Sequence, residues 1–159
     1  MTFSIRGMRD MSKVFAIAAL LLLVTITGCT TPQQREQREA ERRRLQSELS
    51  DAQSKASVSC SGKASCDKAF SLAKLYMQDN SHMRMQFSDD TTATTYNPTD
   101  YGYVGLTAKK IPGKGDSAEV TLTGTCRGMY DGGFYFFECA QKLIRILNDF
   151  PPYIEKSLK

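Results

Sequence analysis

The stretch Ala118-Glu119-Val120-Thr121-Leu122-Thr123-Gly124-Thr125-Cys126 decides the fold. Successive side chains of an extended chain alternate between two sides. Val120, Leu122 and Cys126 therefore point one way, and Glu119, Thr121, Thr123 and Thr125 the other. A strand with one apolar and one Thr-rich face fits an antiparallel sheet that is covered on one side and wet on the other. Upstream, Met83, Met85 and Phe87 alternate with Arg84 and Gln86, Thr91 to Tyr96 is rich in Thr, and Tyr103 to Lys110 forms a further strand. Asp89-Asp90, Asn97-Pro98-Thr99-Asp100 and Ile111-Pro112-Gly113-Lys114-Gly115-Asp116 supply turn residues between them.

Helical periodicity brackets these strands. Cys66 to Asp79 places Ala69, Phe70, Ala73, Tyr76 and Met77 on one face, with Ser65 suited to the N-cap and Asp67 to the first turn. Phe134 to Asn148 turns Phe136, Phe137, Ala140, Leu143, Ile144 and Leu147 inward, and Pro151-Pro152 is expected to stop it. The order helix, about four antiparallel strands, helix predicts an α+β two-layer sandwich with both helices on one face of the sheet.

Charge excludes one class of function. The 159 residues carry a formal +4, but Arg6, Arg9 and Lys13 at the start face only Asp10. From Val58 onward 12 Lys and Arg stand against 11 Asp and Glu. A domain that reads phosphates needs a basic patch, so no nucleic-acid partner is expected. Catalytic patterns are also missing. Asp89-Asp90 are neighbours on a turn, whereas acid–base pairs need carboxyls held apart with split pKa values. Gly113-Lys114-Gly115 opens a strand rather than the helix of a phosphate loop. His82, the single histidine, has no partner nucleophile. No Cys-x2-Cys pair exists for zinc. The expectation is a non-enzymatic protein with no catalytic residues, no metal and no cofactor.

The N-terminal residues point to export. Val14 to Val24, VFAIAALLLLV, is an unbroken apolar run preceded by Arg6, Arg9 and Lys13. A charged start, a short apolar core and a small-residue exit are the parts of a secretory signal. The run is shorter than the roughly 20 residues that cross a bilayer. Met8 and Met11 also precede it, so Met1, Met8 and Met11 are all possible starts. The run leads into Ile26-Thr27-Gly28-Cys29. This resembles the lipobox of bacterial lipoproteins, although that family more often has Leu and then Ala or Ser at the first two positions. The resemblance implies cleavage after Gly28 and lipidation of Cys29, giving a membrane anchor of several acyl chains, which holds stably where one chain does not. Thr30, where Asp would retain an enteric-type lipoprotein at the inner membrane, implies the periplasmic face of the outer membrane. Inner membrane and cell surface stay open.

Three parts follow: a signal over 1–28, a lipid anchor and charged stalk over 29–57, and a globular domain over 58–159. In the stalk, Leu45, Leu49, Ala52 and Ala56 form one heptad stripe in an otherwise charged helix-forming stretch. A solvated helical or partly disordered spacer is expected, with a short oligomerising coiled coil as the alternative. Arg42-Arg43-Arg44 is read as a solvated face rather than a lipid contact, given the interleaved Glu36, Glu39 and Glu41.

With Cys29 lipidated, Cys60, Cys66, Cys126 and Cys139 remain, an even number that suits two disulfides in an exported chain. Three connectivities are possible. Because each close pair flanks the start of a helix, Cys60–Cys66 and Cys126–Cys139 are expected, with cross-linking of the two helix regions as the competitor. Finally, Tyr96, Tyr101 and Tyr103 cluster around one turn with Asn97 and Asp100, a composition suited to contact with an envelope protein or glycan. The expected function is a lipid-anchored envelope protein of Gram-negative type with a structural or binding role. The alternative is an inhibitor or immunity lipoprotein that blocks an enzyme with one loop.

Overall fold

The computed structural model describes residues 31–130 and 133–158. The signal segment, the three possible start residues, the lipobox and Cys29 lie outside them. Among the described residues the chain forms α1 (Pro32–Lys55), β1 (Ser57–Ser61), α2 (Lys63–Asn80), β2 (Met85–Ser88), β3 (Thr92–Thr95), β4 (Val104–Pro112), β5 (Ser117–Cys126) and α3 (Phe136–Leu158). The fold is mixed α+β, with five antiparallel strands in the order β1-β5-β4-β3-β2. The expected four strands are β2 to β5; β1 is the addition. Its sequence, Ser57-Val58-Ser59-Cys60-Ser61, alternates too briefly to stand out, yet it pairs with β5 from Ser57↔Thr121 to Ser61↔Ser117.

β4 and β5 form the centre, paired over nine positions from Val104↔Cys126 to Pro112↔Ala118. Gly113-Lys114-Gly115-Asp116 make the hairpin connection between them, where the Gly113 N–H donates to the Ser117 carbonyl at 2.8 Å. One face of the sheet is apolar: Val58, Ala93, Val104, Leu106, Ala108, Val120 and Leu122 are all buried. On the other, Glu119, Thr123 and Thr125 are exposed. α2 and α3 pack on the sheet, with Ala69, Phe70, Ala73 and Met77 of α2 meeting Ala140, Leu143, Leu147 and Phe150 of α3 in one core. Gly124 admits this packing, because a Cβ there would lie 2.5 Å from Leu143 Cδ2. Between the helices the buried Tyr76 hydroxyl donates to the Ile146 carbonyl at 2.7 Å. Burial pushes its pKa up to about 12.

Both close cysteine pairs are bonded. Cys60–Cys66 ties β1 to α2 across a Cα separation of 5.2 Å, and Cys126–Cys139 ties β5 to α3 across 5.6 Å.

Two expectations need correction. First, Pro151-Pro152 does not stop the last helix, which runs on to Leu158. A proline pair removes two backbone donors and costs several kcal/mol inside a helix, about 3 for each. Here Phe150 and Ile154, on either side of the pair, are fully buried, and Tyr153 lies 5.0 Å from the Tyr76 ring. That packing offsets the lost bonds. Second, the segment before the domain is not a solvated spacer throughout. Leu45, Leu49, Ala52 and Ala56 are buried in the same core as the sheet and the other helices. The stripe is consumed within the chain, so no exposed seam remains there for a coiled coil. Arg42 takes part as well: its guanidinium lies 4.6 Å over the Phe136 ring and donates to the Gly133 carbonyl at 3.3 Å. Arg44 stays at the surface, paired with Glu48 at 3.4 Å.

Leu45→Ala should therefore destabilise the protein by about 2–4 kcal/mol, the cost of truncating a buried leucine. Urea unfolding followed by circular dichroism measures this. A loss below about 0.5 kcal/mol, as for a surface position, would restore the spacer.

Candidate functional site

Tyr96 and Tyr103 line one shallow hollow of about 370 Å³ with His82, Arg84, Asn97 and Thr99. Its floor is set by the way α2 ends. The Ser81 N–H closes the last turn on the Met77 carbonyl at 2.9 Å, and its hydroxyl donates to the Val104 carbonyl at 2.9 Å and accepts from the Met83 N–H at 3.0 Å. His82 is then held against the first residue of β4. Its N–H donates to the Val104 carbonyl at 3.1 Å, and its Nδ1 accepts from the Val104 N–H at 3.3 Å. A neutral imidazole that accepts at Nδ1 carries its proton on Nε2. The Tyr103 ring stacks on His82 with centroids 4.8 Å apart and planes inclined by 23°.

Tyr96 reaches the hollow because β3 ends beside β4. The Thr95 hydroxyl accepts from the Leu106 N–H at 2.9 Å and donates to the Leu106 carbonyl at 3.3 Å, replacing the backbone ladder there. Gly105 lets the departing chain lie close; a Cβ on it would come within 3.0 Å of the Tyr96 carbonyl and 3.1 Å of Pro98 Cδ. The Tyr96 N–H donates to the Arg84 carbonyl at 3.0 Å, leaving the side chain 51% exposed. Stacked and open aromatic faces beside an imidazole, a guanidinium and an amide can bind sugar rings or peptide side chains.

The three tyrosines expected at one contact edge are divided. Gly102, at φ 76°, turns the chain between Tyr101 and Tyr103. Tyr101 faces away from the hollow and stacks on Tyr135, 4.9 Å between centroids, with the Arg127 guanidinium 5.5 Å from its ring. A positive φ between two neighbours sends their side chains to different sides, which spacing alone does not reveal. His82 and Arg84 join the hollow in place of Tyr101. Proximity to β4, set by tertiary packing, brings them there.

Asp89 and Asp90 lie apart from this hollow. Asp89 caps the β2–β3 turn: its carboxylate accepts from the Thr91 and Thr92 N–H groups at 2.7 and 2.6 Å. These backbone hydrogen bonds hold its pKa below the usual range. Asp90 lines a separate hollow with Lys63, Asp67, Phe70, Lys74 and Lys110. There Asp67 bridges Lys63 and Lys110, each at 2.7 Å. The Lys110 hydrogen bond, then that of Lys63, draws the Asp67 pKa down to about 2. Among the described residues no three His, Cys, Asp or Glu side chains gather as metal ligands would, and no helix is long and apolar enough to cross a membrane. No family model, curated protein or solved structure matches this chain.

The Asp67 carboxylate has a folded pKa of about 2, below its ordinary 3.8. Its stabilising contribution is present above the ordinary value and is lost as pH falls through the folded one. Asp67→Asn should flatten the part of the stability–pH curve between about 4 and 2 and leave the shape above pH 5 unchanged. Thermal melts of both proteins across pH 2–7 read this. An unaltered acid limb would remove the assigned ion pairs.

Proposed function

We propose that this chain is a lipid-anchored protein of the bacterial cell envelope, without an enzymatic role, that binds an envelope glycan or protein at the His82–Tyr96–Tyr103 hollow. The anchor rests on Ile26-Thr27-Gly28-Cys29, placed directly after the charged start and apolar run. The chemistry of the pair Cys60–Cys66 and the pair Cys126–Cys139 fits an oxidising compartment such as the periplasm. Thr30 after the cysteine favours the outer membrane, with the domain on the periplasmic side.

The observation that supports a binding role best is the stacked His82–Tyr103 pair beside an open Tyr96. An aromatic face exposed to water and held by a neighbouring ring presents contact area at little entropic cost. The polar groups around it would orient a partner, and the strand ends beneath it restrict its movement.

Affinity capture of the protein from its own envelope after cross-linking, read by mass spectrometry, tests both halves. Wild type should capture a defined partner or glycan fragment, and Tyr96→Ala/Tyr103→Ala should lower that yield about tenfold with an unchanged melting temperature. Undiminished capture by the folded double variant would dismiss the hollow. Palmitate label on the wild type should vanish in Cys29→Ser, and label that persists would dismiss the anchor.

A further inference from the structure

The hollow of Tyr96 and Tyr103 has a neighbour. A second hollow of about 420 Å³ shares His82, Met83 and Arg84 with it and is completed by Gln78 and Ser81 from the end of α2, Met85 from β2 and Thr95 from β3. The two therefore adjoin along the shared residues. Their combined lining is rich in hydrogen-bond donors and contains no acid. Arg84 is exposed, and among the described residues its guanidinium has no ion-pair or hydrogen-bonding partner. Its backbone is fixed, because its carbonyl accepts from the Tyr96 N–H at 3.0 Å. His82 accepts at Nδ1 from the Val104 N–H, which leaves Nε2–H to donate. The amides of Gln78 and Asn97 add further donors. Asp79 and Asp100, the acids next to lining residues in sequence, line neither hollow, and Asp100 accepts from the Thr99 hydroxyl at 3.3 Å.

We propose that the adjoining hollows take a carboxylate-bearing oligosaccharide, with an acid group on the Arg84 guanidinium and a sugar ring against Tyr96. The inference rests on the reading of the Tyr96–Tyr103 hollow as the binding site and names the chemistry of its ligand. A guanidinium presents paired N–H groups at the spacing of the two carboxylate oxygens. No carboxylate of the lining competes for them. The Tyr96 and Tyr103 faces offer flat apolar contact, and the amides and hydroxyls beside them meet ring hydroxyls. A peptide anchors through side chains buried in pockets. These hollows are shallow and the Tyr96 face is open, which suits a sugar better. Two hollows with three residues in common also suit a ligand longer than one ring.

Trigalacturonate, its methyl ester and a tetraglutamate peptide are titrated into the full-length protein, and backbone amide shifts are followed by NMR. Trigalacturonate should shift the amides of residues 78–84 and 95–103 saturably, with an affinity that falls as salt rises. The ester keeps the sugar skeleton without the charge and should bind about tenfold more weakly, the scale of losing a charge-assisted hydrogen bond. Arg84→Gln should weaken trigalacturonate binding by a similar factor, leave the ester unchanged and keep the melting temperature, since the side chain has no partner in the fold. Lys114→Gln, on the β4–β5 hairpin, should change neither sugar. Equal affinity for acid and ester, or a loss in Arg84→Gln no larger than in Lys114→Gln, would overturn the inference. If Tyr96→Ala then abolished binding of both sugars, the hollow would remain a glycan site without selection for acid. Tetraglutamate that bound more tightly at the same residues would overturn the inference in favour of an acidic peptide. An absence of shifts with trigalacturonate would overturn it as well, and capture by the Tyr96→Ala/Tyr103→Ala protein would show separately whether the hollow binds a partner.

Discussion

The nine-position pairing of β4 with β5, buried on one face, is the constraint on which the other elements depend. β1 hydrogen-bonds to the free edge of β5, and β3 followed by β2 extends the sheet from β4. Both helices of the second layer rest on Val104, Leu106, Ala108, Val120 and Leu122, each 1% exposed or less. A one-residue slip between the two strands would turn that apolar set toward water and bring Thr and Glu under the helices. The register is held at one end by the short connection Gly113-Lys114-Gly115-Asp116, and at the other by the disulfide from Cys126 into α3.

A domain of this size buries too little surface to tolerate loose ends, and the chain secures each of them. The edge strand β1 is bonded through Cys60 to the start of α2. The second half of α1 adds Leu45, Leu49 and Ala52 to the core. The end of α3 keeps its helical course through two prolines because Phe150 and Ile154 are buried around them. Lys110 lies on the apolar face, where a charge would ordinarily be costly, but its ammonium sits 5.7 Å from the Phe70 ring centroid and reaches Asp67 at 2.7 Å. Among the described residues no buried side-chain polar atom is left without a partner.

Aromatic side chains without a core role collect where β4 begins and β5 ends. His82 and Tyr103 lie on one side, the Tyr101–Tyr135 stack follows, and Tyr130 and Phe134 project beyond it. The opposite end, around the β4–β5 hairpin, is built from Lys, Gly, Asp and Ser. This asymmetry gives the domain a direction.

Local pattern was enough for much of this. The alternation in Ala118–Cys126 and the helical faces around Phe70 and Leu143 are properties of a few consecutive residues, and they specify an α+β sheet with helices on one side. What depended on distant partners was hidden. β1 is a strand only because the edge of β5 is free to pair with it. The stripe at Leu45 and Leu49 looked the same whether it faced a second chain, water or its own core. Pro151-Pro152 carries a strong local preference to end a helix, and burial on both flanks overrides it. At the candidate site, composition pointed to Tyr96 and Tyr103, but the positive φ of Gly102 excluded Tyr101, and packing of α2 against β4 brought in His82. The sequence by itself determined β2 to β5, the apolar faces of α2 and α3 and which cysteines are near enough to pair, because these follow from side-chain periodicity and short separations. Only the tertiary structure decided which surfaces meet, because that is set by the total apolar area buried when all elements pack together.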